Sequence, residues 1–159
     1  MPIVFLLCTI TTSCSHKGDT AEGDHITSIS AEDAAMNAAI EKARATVNDF
    51  VEAFHAKKPG TKEFYVKKPY PIPAGGHEHM WIAVTDERDG ILKGTIANDA
   101  EETSEVKLGQ EVSLKLSEIS DWMYEDGKKL VGGYTIRYLI DKMSPKERET
   151  FLNKMGFEP

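Results

Sequence analysis

Two histidines separated by one residue are the first groups in this chain whose spacing could support chemistry. His77 and His79 flank Glu78 at the start of a segment rich in aromatic and β-branched residues. Alternate residues of a β-strand share one face, so both imidazoles could reach one cation, with Asp121 as a third ligand if the fold brings it close. The pair is equally typical of an exposed loop end, with His79 holding a carbonyl or carboxylate. A metal site is therefore an alternative here, and the sequence predicts no cofactor.

A second candidate site centres on the dipeptide Asp121-Trp122. A tryptophan buries a large apolar area but needs a partner for its indole N–H, and an adjacent carboxylate can cap a turn or orient a ligand. Aromatic residues exposed beside glycines are typical of the centres of binding interfaces. The candidate partner-binding residues are Asp121, Trp122, Tyr124, Tyr134 and Arg137. A core tryptophan with a turn-capping aspartate is the alternative.

Signatures of catalysis are weak. The sequence has no cysteine after Cys14, and no serine lies in a glycine-flanked elbow, so no activated nucleophile is recognisable. The segment GGYT at 132–135 lacks the lysine, the spacing and the following helix of a phosphate loop, and is more typical of a bulge entering a strand. Acid–base work by Glu78, His79, Asp121 and Arg137 stays open.

The N-terminus predicts covalent lipidation. A charge-free run with an apolar core extends from Met1 to Ser13 and ends at Cys14. This order is typical of a lipoprotein signal peptide, here residues 1–14, which is cut so that Cys14 carries the lipid. Thr11 stands where such peptides usually have leucine, and the run contains no lysine or arginine. An ordinary secretory peptide and an uncleaved start are the alternatives.

Lipidation would place the protein in a bacterial cell envelope, facing the periplasm. Acyl chains contribute about 0.8 kcal/mol per buried methylene, so several chains form a membrane anchor without a spanning helix. Ser15 replaces the aspartate that commonly retains such proteins at the inner membrane, which favours the outer membrane of a Gram-negative host. A soluble periplasmic or secreted protein is the alternative.

Length and charge limit the rest of the chain to one acidic domain. Residues 15–29 are mostly polar and predict a flexible linker. Residues 30–159 suit a single domain of about 130 residues. The formal net charge of −7 disfavours binding to nucleic acid. The acidic loop at 98–110 lacks the ligand spacing of a calcium site.

A long amphipathic helix is predicted to open this domain. Ser30 is a good N-cap with Asp33 as its capping-box acid, and Pro59-Gly60 ends the helix. Apolar residues at spacings of three and four form one stripe, which should pack on a sheet. The stripe consists of Met36, Ile40, Ala43, Val47, Val51 and Phe54.

Four or five antiparallel strands are predicted next. A short extended segment at 64–67, an irregular loop at 68–76, a hairpin over 80–97 and alternation at 112–117 lead to a last strand with Tyr134, Ile136 and Tyr138. Ser144-Pro145 then begins a short C-terminal helix. The order predicts an α+β domain in which an N-terminal amphipathic helix packs on a small antiparallel sheet.

Several short segments occur in the same order as in a known bacterial domain. They are HMW at 79–81, LKGTIAN at 92–98, GQEV at 109–112, ISDWMY at 119–124 and GGYTIR at 132–137. On these segments, residues 64–139 resemble a YegJ-like bacterial domain of unknown function. The resemblance implies a bacterial origin and supports the domain boundaries, but it implies no reaction.

Together these patterns predict an uncharacterised cell-envelope lipoprotein that acts as a non-enzymatic module binding a protein or an envelope component. One alternative is a metal-dependent or hydrolytic envelope enzyme that uses His77, His79 and Asp121. The other is an immunity-type or structural lipoprotein. The sequence leaves the partner and the oligomeric state open.

Overall fold

The computed structural model describes residues 22–156, with side chains from residue 34 onward. The predicted signal peptide and Cys14 therefore lie outside the described residues. Two helices open the described part: α1 (Glu22–Ala45) and α2 (Val47–Ala56). The strands are β1 (Thr61–Pro71), β2 (His77–Arg88), β3 (Ile91–Ile96), β4 (Glu111–Lys115), β5 (Asp121–Asp126) and β6 (Lys129–Gly132). Helices α3 (Tyr134–Lys142) and α4 (Pro145–Met155) complete it.

The strands form one antiparallel sheet in the order β4-β3-β2-β1-β5-β6. The predicted α+β class is confirmed, whereas the predicted count of four or five strands is wrong because the sheet has six. Strand β1 lies at the centre, so the meander β2-β3-β4 extends from one side of it and the hairpin β5-β6 from the other.

Both faces of the sheet carry apolar side chains, because alternate residues of a strand point to opposite faces. The face towards α1 and α2 is built around Val66, Ile82 and Trp122. The opposite face, with Tyr65, Trp81 and Met123, packs against apolar residues of α3 and α4. The domain therefore has helices on both sides of its sheet.

The predicted single N-terminal helix is instead two helices separated at Thr46. The Thr46 hydroxyl donates to the carbonyl of Lys42 (2.8 Å), a local bond that competes with the helix ladder. The interruption changes which residues face the sheet. Within residues 34–56 only Ala43 and Phe50 are fully buried, and Phe50 was not in the predicted stripe. Helix α1 begins at Glu22, inside the predicted linker and eight residues before Ser30.

Strand β1 is longer than the sequence predicted and includes Pro69, which was expected in an irregular loop. Pairing of β1 with β5 ends at Lys67 opposite Asp121, whereas pairing with β2 continues to Pro71 opposite His77. Beyond Lys67 no strand pairs with the β5 side of β1. A residue there makes no ladder hydrogen bond through an N–H on that side, so a proline is tolerated.

The predicted last strand is wrong, because Tyr134–Lys142 is helix α3. Helix α4 agrees with its sequence signals: Ser144 and Glu147 form a capping box, and Gly156 ends the helix in a left-handed conformation. In the part of the chain that the structure describes, no helix is both long and apolar enough to cross a membrane.

Candidate functional site

A buried carboxylate begins helix α3. Asp121, the first residue of β5, is 0% exposed. Its oxygens accept hydrogen bonds from the backbone N–H groups of Trp122 (2.8 Å), Tyr134 (3.1 Å) and Thr135 (2.8 Å), and from the Thr135 hydroxyl (2.6 Å). Tyr134 and Thr135 open α3, so Asp121 supplies from another strand the oxygen that an N-cap side chain normally provides. Its negative charge also faces the positive end of the helix dipole.

Two glycines connect β6 to α3 without an intervening loop. Gly132 and Gly133 both have left-handed backbone angles, with φ of 72° and 64°. A Cβ on Gly132 would lie 2.4 Å from the carbonyl oxygen of Trp122 and 2.5 Å from its ring. The Gly133 N–H donates to that same carbonyl (2.7 Å). The segment predicted to be a bulge without a following helix is therefore a tight strand-to-helix turn built against Trp122.

Trp122 joins this turn to the N-terminal helices. The residue is 2% exposed, and its indole N–H donates to the carbonyl of Ala43 at 2.9 Å. Its ring lies 5.8 Å from Phe50, 6.2 Å from Tyr124 and 5.7 Å from Tyr134 between centroids. Aromatic pairs at such distances stabilise a core beyond the area that they bury. Trp122 is thus a core residue, and Asp121 caps a helix.

Tyr134 keeps part of its side chain at the surface. The Tyr134 hydroxyl donates to the Thr46 hydroxyl (3.1 Å), and the Lys42 ammonium lies 5.2 Å from the centroid of the ring. Tyr134 is half-buried. One edge of the ring packs on Trp122 and its hydroxyl meets the junction between α1 and α2.

Tyr124 occupies the other flank of Trp122 and is also half-buried. Burial raises the pKa of its phenol, and the charges of Asp126 and Asp49 raise it further. Val131 of β6 is half-buried directly opposite Tyr124 in the strand register. We call Tyr124, Val131 and Tyr134 the aromatic strip, a partly exposed apolar surface with charged residues at its margins.

Arg137 binds backbone carbonyl groups of the edge strand β6. Its guanidinium donates through Nε to the carbonyl of Gly132 (2.8 Å) and through the terminal nitrogen to that of Leu130. The side chain is exposed and runs from α3 back along β6. Its position explains how the GGYTIR segment holds its own helix against the preceding strand.

A second polar group lies where β1, β2 and the start of β5 meet. His79 Nδ1 is hydrogen-bonded to Ser120 Oγ at 2.8 Å, and Ser120 donates through its hydroxyl (3.3 Å) and its backbone N–H (2.8 Å) to the carbonyl of Lys67. Ser120 is 1% exposed, so a substrate cannot reach its hydroxyl in this arrangement. The pair holds two strands together.

The Lys67 side chain reaches the capped start of α3. Its ammonium donates to Thr135 Oγ1 (3.1 Å) and lies 4.8 Å from the centroid of the Trp81 ring. Thr135 therefore connects two opposite charges, since its hydroxyl donates to Asp121 and accepts from Lys67. Sequence patterns did not single out Lys67, Ser120 or Thr135, because their partners are 14 to 68 positions away.

The environment of His79 keeps its imidazole neutral. Burial lowers the pKa of His79 to about 4, and the positive charges of Lys67, His77 and Arg44 act in the same direction. Asp121 lies opposite Lys67, and Lys67 lies opposite Trp81, so strand β1 separates Asp121 from the histidine strand. Within residues 22–156 no three His, Cys, Asp or Glu residues are grouped so that they could hold a metal ion. The predicted set of His77, His79 and Asp121 is not brought together.

Glu78 has a separate role that the sequence did not reveal. Its carboxylate accepts backbone N–H bonds from Glu101, Glu102 and Thr103 at 2.8–2.9 Å. Burial alone would raise the pKa of Glu78, but these three bonds outweigh burial and lower the pKa. Glu78 therefore orders the acidic loop between β3 and β4.

The predicted partner-binding residues divide between the interior and the surface. Asp121 and Trp122 are buried, Tyr124 and Tyr134 are half-buried beside them, and Arg137 is exposed on α3. All five contribute to the junction of β5, β6 and α3.

The fold is a small α+β domain, and its candidate site is the junction of β5, β6 and α3 around one strand-to-helix turn. Residues 33–159 match the family described as an uncharacterized protein conserved in bacteria (DUF2314), and the chain belongs to this family. The predicted resemblance over residues 64–139 is confirmed, and the family match extends over nearly the whole described domain.

Two proteins are similar to this chain in sequence. The uncharacterized protein YegJ of Escherichia coli (strain K12) is 36% identical over 121 residues, which cover 76% of this chain and 77% of that protein. A putative ankyrin repeat protein of Neisseria meningitidis serogroup B is 35% identical over 74 residues, which cover 45% of this chain and 28% of that protein. No solved structure shows a significant match.

Proposed function

We propose that this protein is a bacterial cell-envelope lipoprotein whose α+β domain is a non-enzymatic module that binds another protein or an envelope component. The aromatic strip carries the proposal. Tyr124 and Tyr134 rest on the rigid Trp122 and keep part of their side chains accessible, next to charged residues of α1 and α2. An apolar centre with a polar margin is the usual composition of a binding interface.

The polar groups of the domain also favour binding over catalysis. His79 is paired with a buried serine, and Asp121 is saturated by four hydrogen bonds. Across the described residues no buried side-chain nitrogen or oxygen lacks a hydrogen-bond partner. A catalytic site usually leaves such a group unsatisfied for its substrate.

Photo-crosslinking in the native host tests the binding surface. Tyr124 and, separately, Tyr134 are replaced by benzoylphenylalanine, and Tyr138, a half-buried tyrosine of α3 outside the strip, is the matched control. We expect the first two positions to give one adduct of defined mass and the control position to give none. The assignment of this surface is refuted if no adduct forms at the strip or if Tyr138 gives the same adduct.

Mass spectrometry of the mature N-terminus tests the proposed location separately. An acylated Cys14 at the first position is the expected result, with the domain tethered by the residues that follow it. A chain that retains an unmodified Met1 would refute the lipoprotein assignment while leaving the binding surface intact.

A further inference from the structure

The two edges of the sheet differ in how they are protected. At β6 the guanidinium of Arg137 binds the carbonyl groups of Leu130 and Gly132, so a side chain of the same molecule covers that edge. At the other edge, β4 pairs with β3 and with no further strand of the described chain. Alternate residues of an outer strand direct N–H and C=O groups away from the sheet, where another strand can pair with them.

From the residues of β4 we infer that this edge pairs with β4 of a second copy of the chain. The strand reads Glu111-Val112-Ser113-Leu114-Lys115. In an antiparallel pair centred on Ser113, Glu111 of each copy lies opposite Lys115 of the other. Val112 then lies opposite Leu114, and each Ser113 lies opposite its equivalent. The strand is complementary to itself in charge and in polarity.

This register also keeps each face of the sheet continuous. Val112 and Leu114 pack on the α1–α2 side, whereas Glu111, Ser113 and Lys115 are exposed on the other side. Shifting the centre by one residue places Glu111 opposite Ser113 and removes both charge pairs. Opposite charges across two strands attract, and like charges repel. The Ser113 centre is therefore the register that the sequence of β4 selects.

An exposed apolar residue lies close to the same edge. Among the described residues the two large hydrophobic side chains that are exposed are Leu108 (52%) and Ile91 (37%). Leu108 precedes β4 by three positions, so a second copy at the β4 edge would border it. Ile91 belongs to β3 and lies one strand inside the edge, opposite Lys115.

One contact limits the length of the pairing. The backbone N–H of Lys115 already donates to the Glu118 carboxylate (2.7 Å). Leu116–Glu118 form a 3₁₀ turn, which ends the strand there. The pairing therefore comprises the five residues of β4 and forms a weak dimer, with a dissociation constant on the order of 10–100 µM.

Charge-reversed variants of the full-length chain test the inference by sedimentation equilibrium. We expect E111K and K115E each to weaken dimerisation by about tenfold, because each places like charges opposite one another at two symmetric positions. The double variant E111K/K115E restores both pairs and should dimerise within about threefold of the original chain. K146E on α4 is the control, with the same charge change as K115E away from the edge, and should leave dimerisation unchanged.

A covalent cross-link checks the register. With Cys8 and Cys14 replaced by serine, S113C should form a disulfide-linked dimer under mild oxidation, because the two residues lie directly opposite each other. S117C, just beyond the strand, should not. The inference is overturned if the original chain is monomeric up to about 1 mM, if the single reversals and the double variant behave alike, or if S117C links as readily as S113C.

Discussion

Asp121→Asn should remove much of the stability of this domain without changing the size or shape of a side chain. One carboxylate oxygen accepts two backbone N–H bonds, and the other accepts the N–H and the hydroxyl of Thr135. An amide offers an acceptor on one side only, so its NH₂ group must face donors on the other. Hydrogen bonds to a charged group contribute about 1.5–3 kcal/mol each, and a buried donor left unpaired costs about 1–3 kcal/mol.

These contributions give an expected loss of about 3–4 kcal/mol. The Thr135 hydroxyl can rotate to accept from the new amide, which recovers one bond, while the loss of charge at the start of α3 costs up to about 1 kcal/mol more. Native domains of this size have unfolding free energies of about 5–15 kcal/mol, so the variant should stay folded with a small remaining unfolding free energy. Thr135→Val replaces the hydroxyl that bonds to Asp121 and Lys67 and should cost about 1.5–3 kcal/mol.

Urea unfolding followed by tryptophan fluorescence measures these differences, since Trp122 lies at the junction. Asp126→Asn at the other end of β5 is the matched control, because Asp126 is exposed and the same exchange there should change the unfolding free energy by less than about 0.5 kcal/mol. If Asp121→Asn were as harmless as Asp126→Asn, the carboxylate could not be what holds α3 to β5.

Three further predictions follow from the same contacts. Gly132→Ala should lower the unfolding free energy in urea by about 3 kcal/mol or more, because the new Cβ would collide with Trp122. Gly127 has a similar φ of 65° but open space around it, so Gly127→Ala should cost only about 1–2 kcal/mol. Equal losses in the two variants would contradict the steric argument. NMR titration should give a pKa of about 4 for His79. Because the imidazole in the unfolded chain binds a proton from about pH 6.5 downwards, the unfolding free energy should fall as the pH is lowered from about 6.5 to about 4. In His79→Gln this fall should be shallower. Glu78→Gln should accelerate amide hydrogen exchange at residues 101–103 while leaving β4 unchanged, and unaltered exchange would show that the loop is ordered by other contacts.

The sequence predicted those elements whose signals are local. Helix α4 has its own capping box and terminal glycine, and the hairpin β2-β3 has a turn flanked by alternating residues, so both could be identified without tertiary contacts. Helix α3 could not, because its N-terminal cap is supplied by Asp121, thirteen positions before Tyr134. Ile136 and Ile140 are four residues apart and pack in the core on the α3–α4 side of the sheet, but the alternation of Tyr134, Ile136 and Tyr138 predicted a strand.

The candidate site was predictable to a similar extent. Composition drew attention to the segments around Asp121, Trp122 and Tyr134, because aromatic residues, glycines and an acid lie together there, and the structure brings these segments to one junction. Whether a tryptophan is buried or exposed depends on what covers it, and here Ala43 and Phe50 do so after the helix interruption at Thr46. The histidine pair lies on one strand as expected, but the strand between it and Asp121 could be placed only by the order of the sheet.

The remote cap on α3 also has a consequence for how the domain comes apart. A helix that carries its own cap can form and fray independently of its neighbours, whereas α3 loses the partner of its first N–H groups whenever β5 separates from it. Because Asp121, the Gly132-Gly133 turn and Arg137 all join α3 to the β5-β6 hairpin, helix and hairpin should open as one cooperative unit, with closely similar opening free energies for their slowest-exchanging amides.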